Sequence, residues 1–148
     1  MKNINYEELI NKLHCILEYE NRPVDICEEL LFEYGKYYKN ITLYHGAFGN
    51  TPEQVLNSYS GLISCTYDLV VAESFAASAY DDYDLCTVLE IKVDNVLCLD
   101  VQYLIDLCHK NCPDNKLCEY IYNSFNNENE MLLYYEDIKD NIKFITTN

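Results

Sequence analysis

Tryptophan is absent from the 148 residues, and glycine (four), proline (three) and histidine (three) are scarce. Basic residues are scarce too. Ten Lys and Arg face twenty-five Asp and Glu, a formal charge of −15. A chain so acidic repels phosphate backbones, which argues against direct nucleic-acid binding. No stretch approaches the ~18 consecutive apolar residues of a membrane span. The opening MKNINYEEL has no apolar signal-peptide core, so the expected location is cytoplasmic, in a bacterium or a host cell. No repeat and no Pro/Gly-rich linker interrupts the chain, so a single domain over 1–148 is expected. The missing Trp, beside abundant Asn, Lys, Ile and Tyr, is a compositional bias without mechanistic content. The acidity itself serves solubility, and it also favours encounter with a basic surface on a protein partner.

Eight cysteines are present: Cys15, Cys27, Cys65, Cys86, Cys98, Cys108, Cys112 and Cys118. Without a secretory signal they are expected as thiols. Cys15, Cys27, Cys86 and Cys98 fall on apolar faces as small core residues. Cys108, His109, Cys112 and Cys118 lack the paired C-x-x-C spacing of zinc modules, so no metal is expected.

Two amphipathic helices are predicted over residues 1–40. Asn5 caps the first with Glu8 as capping-box partner, and Tyr6, Leu9, Ile10, Leu13, Ile16 and Leu17 form its apolar face. NRP, 21–23, breaks it. Asp25 and Glu28 make a second capping box, with Ile26, Leu30, Leu31 and Tyr34 as the stripe. After Gly35 the pattern turns to strands at 41–44, 61–65, 86–93, 96–99, 130–135 and 142–146. Between them, Thr51, Asp68, Asp100 and Asp114 are the predicted helix caps. Helices and strands mix without regular βαβ alternation, so the fold class is α+β with a mainly antiparallel sheet.

Three pieces carry chemistry. LYHG puts His45 at a strand end beside Gly46, where a ligand can approach the backbone; a histidine bonding across the sheet is the plainer reading. SCTYDLVVAESFA brings Ser64 and Thr66 to a strand-to-helix junction, where hydroxyls can orient other polar groups or merely cap the helix. ENEMLL sets Glu128 and Glu130 two apart at the start of an apolar strand, which period two places on one face. Like charges there destabilise the protein unless a ligand uses them.

In this order the three pieces resemble the ADP-ribosyltransferase fold: a strand ending in Arg or His then Gly, a strand with S-x-T leading into a helix, and E-x-E on a late strand. The resemblance covers 41–148, with the two opening helices packed outside that core, and it implies a split sheet flanked by helices. His45 stands where arginine-type members carry Arg and where diphtheria-toxin-like members carry His. The resemblance implies NAD as co-substrate and mono-ADP-ribosylation of a protein target. Glu130 would stabilise the positive ribose and hold its 2′-hydroxyl, and Glu128 would face the incoming nucleophile. His45 would bond a ribose hydroxyl, the Gly46 backbone would meet the nicotinamide amide, and Ser64 and Thr66 would orient Glu130. Tyr67, Tyr80 and Tyr83 are three candidates to stack on nicotinamide. Some phage anti-CRISPR proteins resemble this fold, and the resemblance is equally compatible with a toxin. An RNA 2′-phosphotransferase of the same fold would need more arginine. The alternative from another class is a non-enzymatic acidic decoy that masks a basic protein surface.

Overall fold

Asn5 opens the first helix as its sequence predicts, with its Oδ1 accepting from the Glu8 amide at 3.1 Å. The computed structural model describes residues 3–18, 22–79 and 81–145. Helix α1 (Tyr6–Glu18) buries Leu9, Ile10, Leu13, Ile16 and Leu17. Helix α2 (Val24–Tyr34) departs from expectation: it follows Pro23 directly and has no side-chain cap. Proline needs no amide partner at a helix start, so the Asp25–Glu28 box is not used. Asp25 lies inside the first turn, and Glu28 accepts a hydrogen bond from the Tyr134 hydroxyl instead.

The chain then enters β1 (Lys36–Tyr38) and β2 (Ile41–Gly49). The strand expected to end at Tyr44 thus continues through His45 and Gly46. The reason lies in β4 (Leu85–Val93), which pairs with β2 along its whole length, from Ile41 opposite Val93 to Gly49 opposite Leu85. Cross-strand pairing outweighs the local preference of glycine for loops.

Helix α3 (Pro52–Asn57) is capped by Thr51, strand β3 covers Leu62–Thr66, and helix α4 (Leu69–Ala77) is capped by Asp68. After β4 come β5 (Val96–Asp100) and α5 (Val101–Asn111), the latter capped by Asp100. Helix α6 (Lys116–Phe125) is capped by Asn115 rather than Asp114, its Oδ1 accepting from the Cys118 amide at 2.9 Å. Strands β6 (Glu130–Tyr134) and β7 (Ile142–Ile145) close the described chain, and Thr146 of the predicted last strand lies outside the described residues.

The seven strands among the described residues join one antiparallel sheet in the order β1-β5-β6-β3-β2-β4-β7. The α+β class holds. Within the sheet, β2 and β3 meet at one bridge, Tyr44 opposite Thr66. On either side of that seam the strands pair extensively. Helices α1, α2, α5 and α6 enclose one apolar cluster with Leu99 and Leu132. A second cluster joins Leu43, Leu89 and Ile91 from one half of the sheet to Cys65, Met131 and Leu133 from the other. One apolar cluster therefore runs across the seam. Helix α4 covers the opposite face of β2 and β4, where Ala72 and Ala76 meet Val88.

Candidate active site

A cavity of about 360 Å³ opens at the seam, between β2, β3 and helix α4, with Glu128 and Glu130 in its wall. This lies at the small end of the ~300–1,000 Å³ usual for ligand clefts.

Glu130 begins β6 and is 5% exposed. Antiparallel pairing sets it opposite Thr66 and sets Ser64 opposite Leu132, so both hydroxyl side chains share its face. The Ser64 hydroxyl donates to Glu130 Oε2. Thr66 does a different job from the one expected. Its hydroxyl donates to the Glu128 carbonyl at 3.0 Å and accepts from the Asp68 amide at 3.0 Å. It thus ties the Glu128 segment to the start of α4 rather than touching Glu130.

Glu128 also differs from expectation. It precedes β6, between Asn127 and Asn129, whose φ values are 81° and 51°. The two carboxylates share the cavity because this left-handed backbone turns Glu128 inward, a conformation that Asn adopts more readily than most residues. They do not share it through strand alternation. Burial, and then repulsion from Glu130, push the Glu128 carboxyl above its ordinary pKa, while Arg22 opposes the shift.

His45 lies inside β2, and its ring Nδ1 donates to the Ser64 carbonyl at 2.5 Å. The ring bridges the seam one residue beyond the single β2–β3 bridge. Burial lowers its pKa, against the raising effect of the carbonyl, so the imidazole is neutral at pH 7. With Nδ1 carrying the proton, Nε2 remains an acceptor, the form needed to receive a hydroxyl proton. Tyr59 packs edge-on against the ring at 5.1 Å.

Gly46 lines the cavity, but its lack of a side chain serves packing. A Cβ there would lie 2.4 Å from the Ala72 carbonyl and 2.7 Å from Phe75 Cβ. The glycine lets α4 lie close on β2.

Neither of the two described tyrosine candidates, Tyr67 and Tyr83, lines the cavity. Tyr67 is exposed and donates to Asn129 Oδ1 at 3.1 Å. Tyr83 packs on Phe48 with ring centroids 4.9 Å apart. Tyr80 lies outside the described residues. The rings lining the cavity are those of Tyr44, Phe48 and Phe75. Cys65 lines it too, but burial raises its thiol far above neutrality, so it offers no thiolate nucleophile.

One lining residue has no motif signature. Arg22, in the NRP segment that reads only as a helix break, extends its guanidinium into the cavity and holds Glu130 with both terminal nitrogens, Nη2 to Oε1 at 3.1 Å. Its one sequence signal is rarity, for it is the only arginine in the chain. Burial disfavours its charge, but the Glu130 carboxylate more than compensates and its pKa is raised.

Compared with protein-family models, with curated proteins and with solved structures, the chain matches none. The site must therefore be read from its own chemistry. All eight sulfurs are unbridged. Among the described residues no group of three or more His, Cys, Asp or Glu side chains is arranged to hold a metal.

Proposed function

We propose that the chain is an NAD-dependent mono-ADP-ribosyltransferase acting on a protein target, with Glu130 as the catalytic carboxylate. One observation carries this reading. His45 and Gly46, Ser64 and Thr66, and Glu128 and Glu130 come from three separate stretches of sequence, and all six line one cavity. The ordered motifs that suggested the resemblance thus converge in space.

The chemistry suits such a site. The bond from ribose C1′ to nicotinamide breaks with its electron pair going to the ring, which departs as neutral nicotinamide. Positive charge develops on the ribose, beside Glu130. A carboxylate held by Ser64 is preorganised for that charge. The target's nucleophile adds to C1′ and its proton passes to Glu128, whose raised pKa brings it nearer to that of a useful general base. Neutral His45 accepts from a ribose hydroxyl. The acidic surface, net −15, favours a basic target.

The test uses labelled NAD, host-cell lysate and three proteins: wild type, Glu128→Gln and Glu130→Gln. Glu130→Gln is expected to lower both nicotinamide release and target labelling by ~10² or more, because it removes charge stabilisation made in the transition state. Glu128→Gln should retain most nicotinamide release and lose target labelling. A Glu130→Gln protein that labels its target at the wild-type rate overturns the assignment. A wild type that neither binds NAD nor labels any protein leaves the acidic decoy as the better account.

A further inference from the structure

Arg22 is the only arginine of the chain, and its guanidinium and the Ser64 hydroxyl together engage both oxygens of Glu130. In this state the carboxylate already accepts from protein donors on each oxygen. Two of the three donors on the carboxylate come from Arg22, so a ribose hydroxyl must compete with the guanidinium for it. Charge gives the reason for withdrawal. Among the described residues lining the cavity, Arg22 is the only Lys or Arg, facing the carboxylates of Glu128 and Glu130. A dinucleotide brings a pyrophosphate with two negative charges into a wall that is otherwise acidic. A guanidinium fits phosphate oxygens in the same forked geometry with which it fits a carboxylate.

We propose that Arg22 exchanges partners: it holds Glu130 when the site is empty, moves to the pyrophosphate when the dinucleotide enters, and so frees Glu130 for the ribose. This rests on reading the cavity as a dinucleotide site. It makes Arg22 a specificity-determining residue. A glycoside with phosphates releases the carboxylate, while one without phosphates leaves it locked.

Because the chain has one arginine, ¹⁵N-arginine labelling of the whole protein gives one side-chain Nε–H resonance to follow by NMR. Its starting position should change in Glu130→Gln, which reports the resting ion pair. In the wild type it should shift on titration with ADP-ribose and with inorganic pyrophosphate, and stay in place with adenosine. Arg22→Gln should lower kcat/KM for NAD by about 10-fold or more, the size of a charge-assisted hydrogen bond. The same variant should cleave nicotinamide riboside at least as well as the wild type. Equal losses on both substrates would mean that Arg22 merely positions Glu130, and equal gains that it merely blocks the site; either overturns the exchange. So does a resonance unmoved at saturating ADP-ribose, or ADP-ribose that fails to bind. NAD cleavage with an unmoved resonance would sink the exchange and leave the transferase standing. A moved resonance with no nicotinamide released would do the reverse.

Discussion

Glu128 is held where its charge is disfavoured, half-buried and beside Glu130. Its folded-state pKa is raised, so between the ordinary carboxylate value, ~4.3, and the raised one the folded protein holds a proton that the unfolded chain has lost. Stability is therefore greatest below that window and falls as pH rises through it. Glu128→Gln should raise the melting temperature at pH 7, with the difference shrinking towards zero near pH 4; a pH-independent difference would show that the charge is not the cause. His45 shifts the other way, and its burial opposes protonation as pH falls. At this scale the sequence was informative where partners are close neighbours or carry a motif. Ser64 and Glu130 were legible as S-x-T and E-x-E. Arg22 was not, because its partner lies 108 positions away and no local pattern encodes that ion pair. Tyr67 and Tyr83 were singled out by aromatic type, which alone does not say which rings face a cavity; Tyr44, Phe48 and Phe75 do.

Among the elements, helix α4 is seated against one glycine of a neighbouring strand, Gly46. Gly46→Ala would bring a methyl group to 2.4 Å from the Ala72 carbonyl, which is backbone and cannot rotate away. The helix must shift, so the variant should lose about 1–3 kcal/mol in urea unfolding, as overpacked sites do. Because Val71, Ala72 and Phe75 of α4 line the cavity, NAD binding should weaken with it. An Ala variant of unchanged stability would show that α4 is not seated on β2 as described. Helix starts were the most readable elements, since Asn5, Thr51, Asp68 and Asp100 each cap through a bond within three residues. Strand extent was the least readable. β1 has only three residues and owes its existence to β5, and the extension of β2 past Tyr44 owes itself to β4. Both are products of pairing between distant segments.

The whole molecule carries a field set by its charge of −15. On the proposed reading, that field would repel anionic NAD and attract a basic target, and salt screens both effects over about 8–10 Å near physiological ionic strength. Raising ionic strength should therefore lower the apparent KM for NAD in nicotinamide release while slowing the labelling of the target at fixed NAD. Opposite slopes are the expected result, and parallel slopes would exclude a basic target surface. The α+β class was legible from the mixture of periodicities, but the seam in the sheet was not, because no local pattern marks where two strands stop pairing. That seam bears on the site itself. With one backbone bridge along it, the two halves of the sheet are joined there by apolar packing and by the His45–Ser64 hydrogen bond. His45 and Gly46 belong to one half, and Ser64, Thr66 and Glu130 to the other. A ligand touching both halves would act as their clasp, adding contacts where the backbone supplies only one bridge.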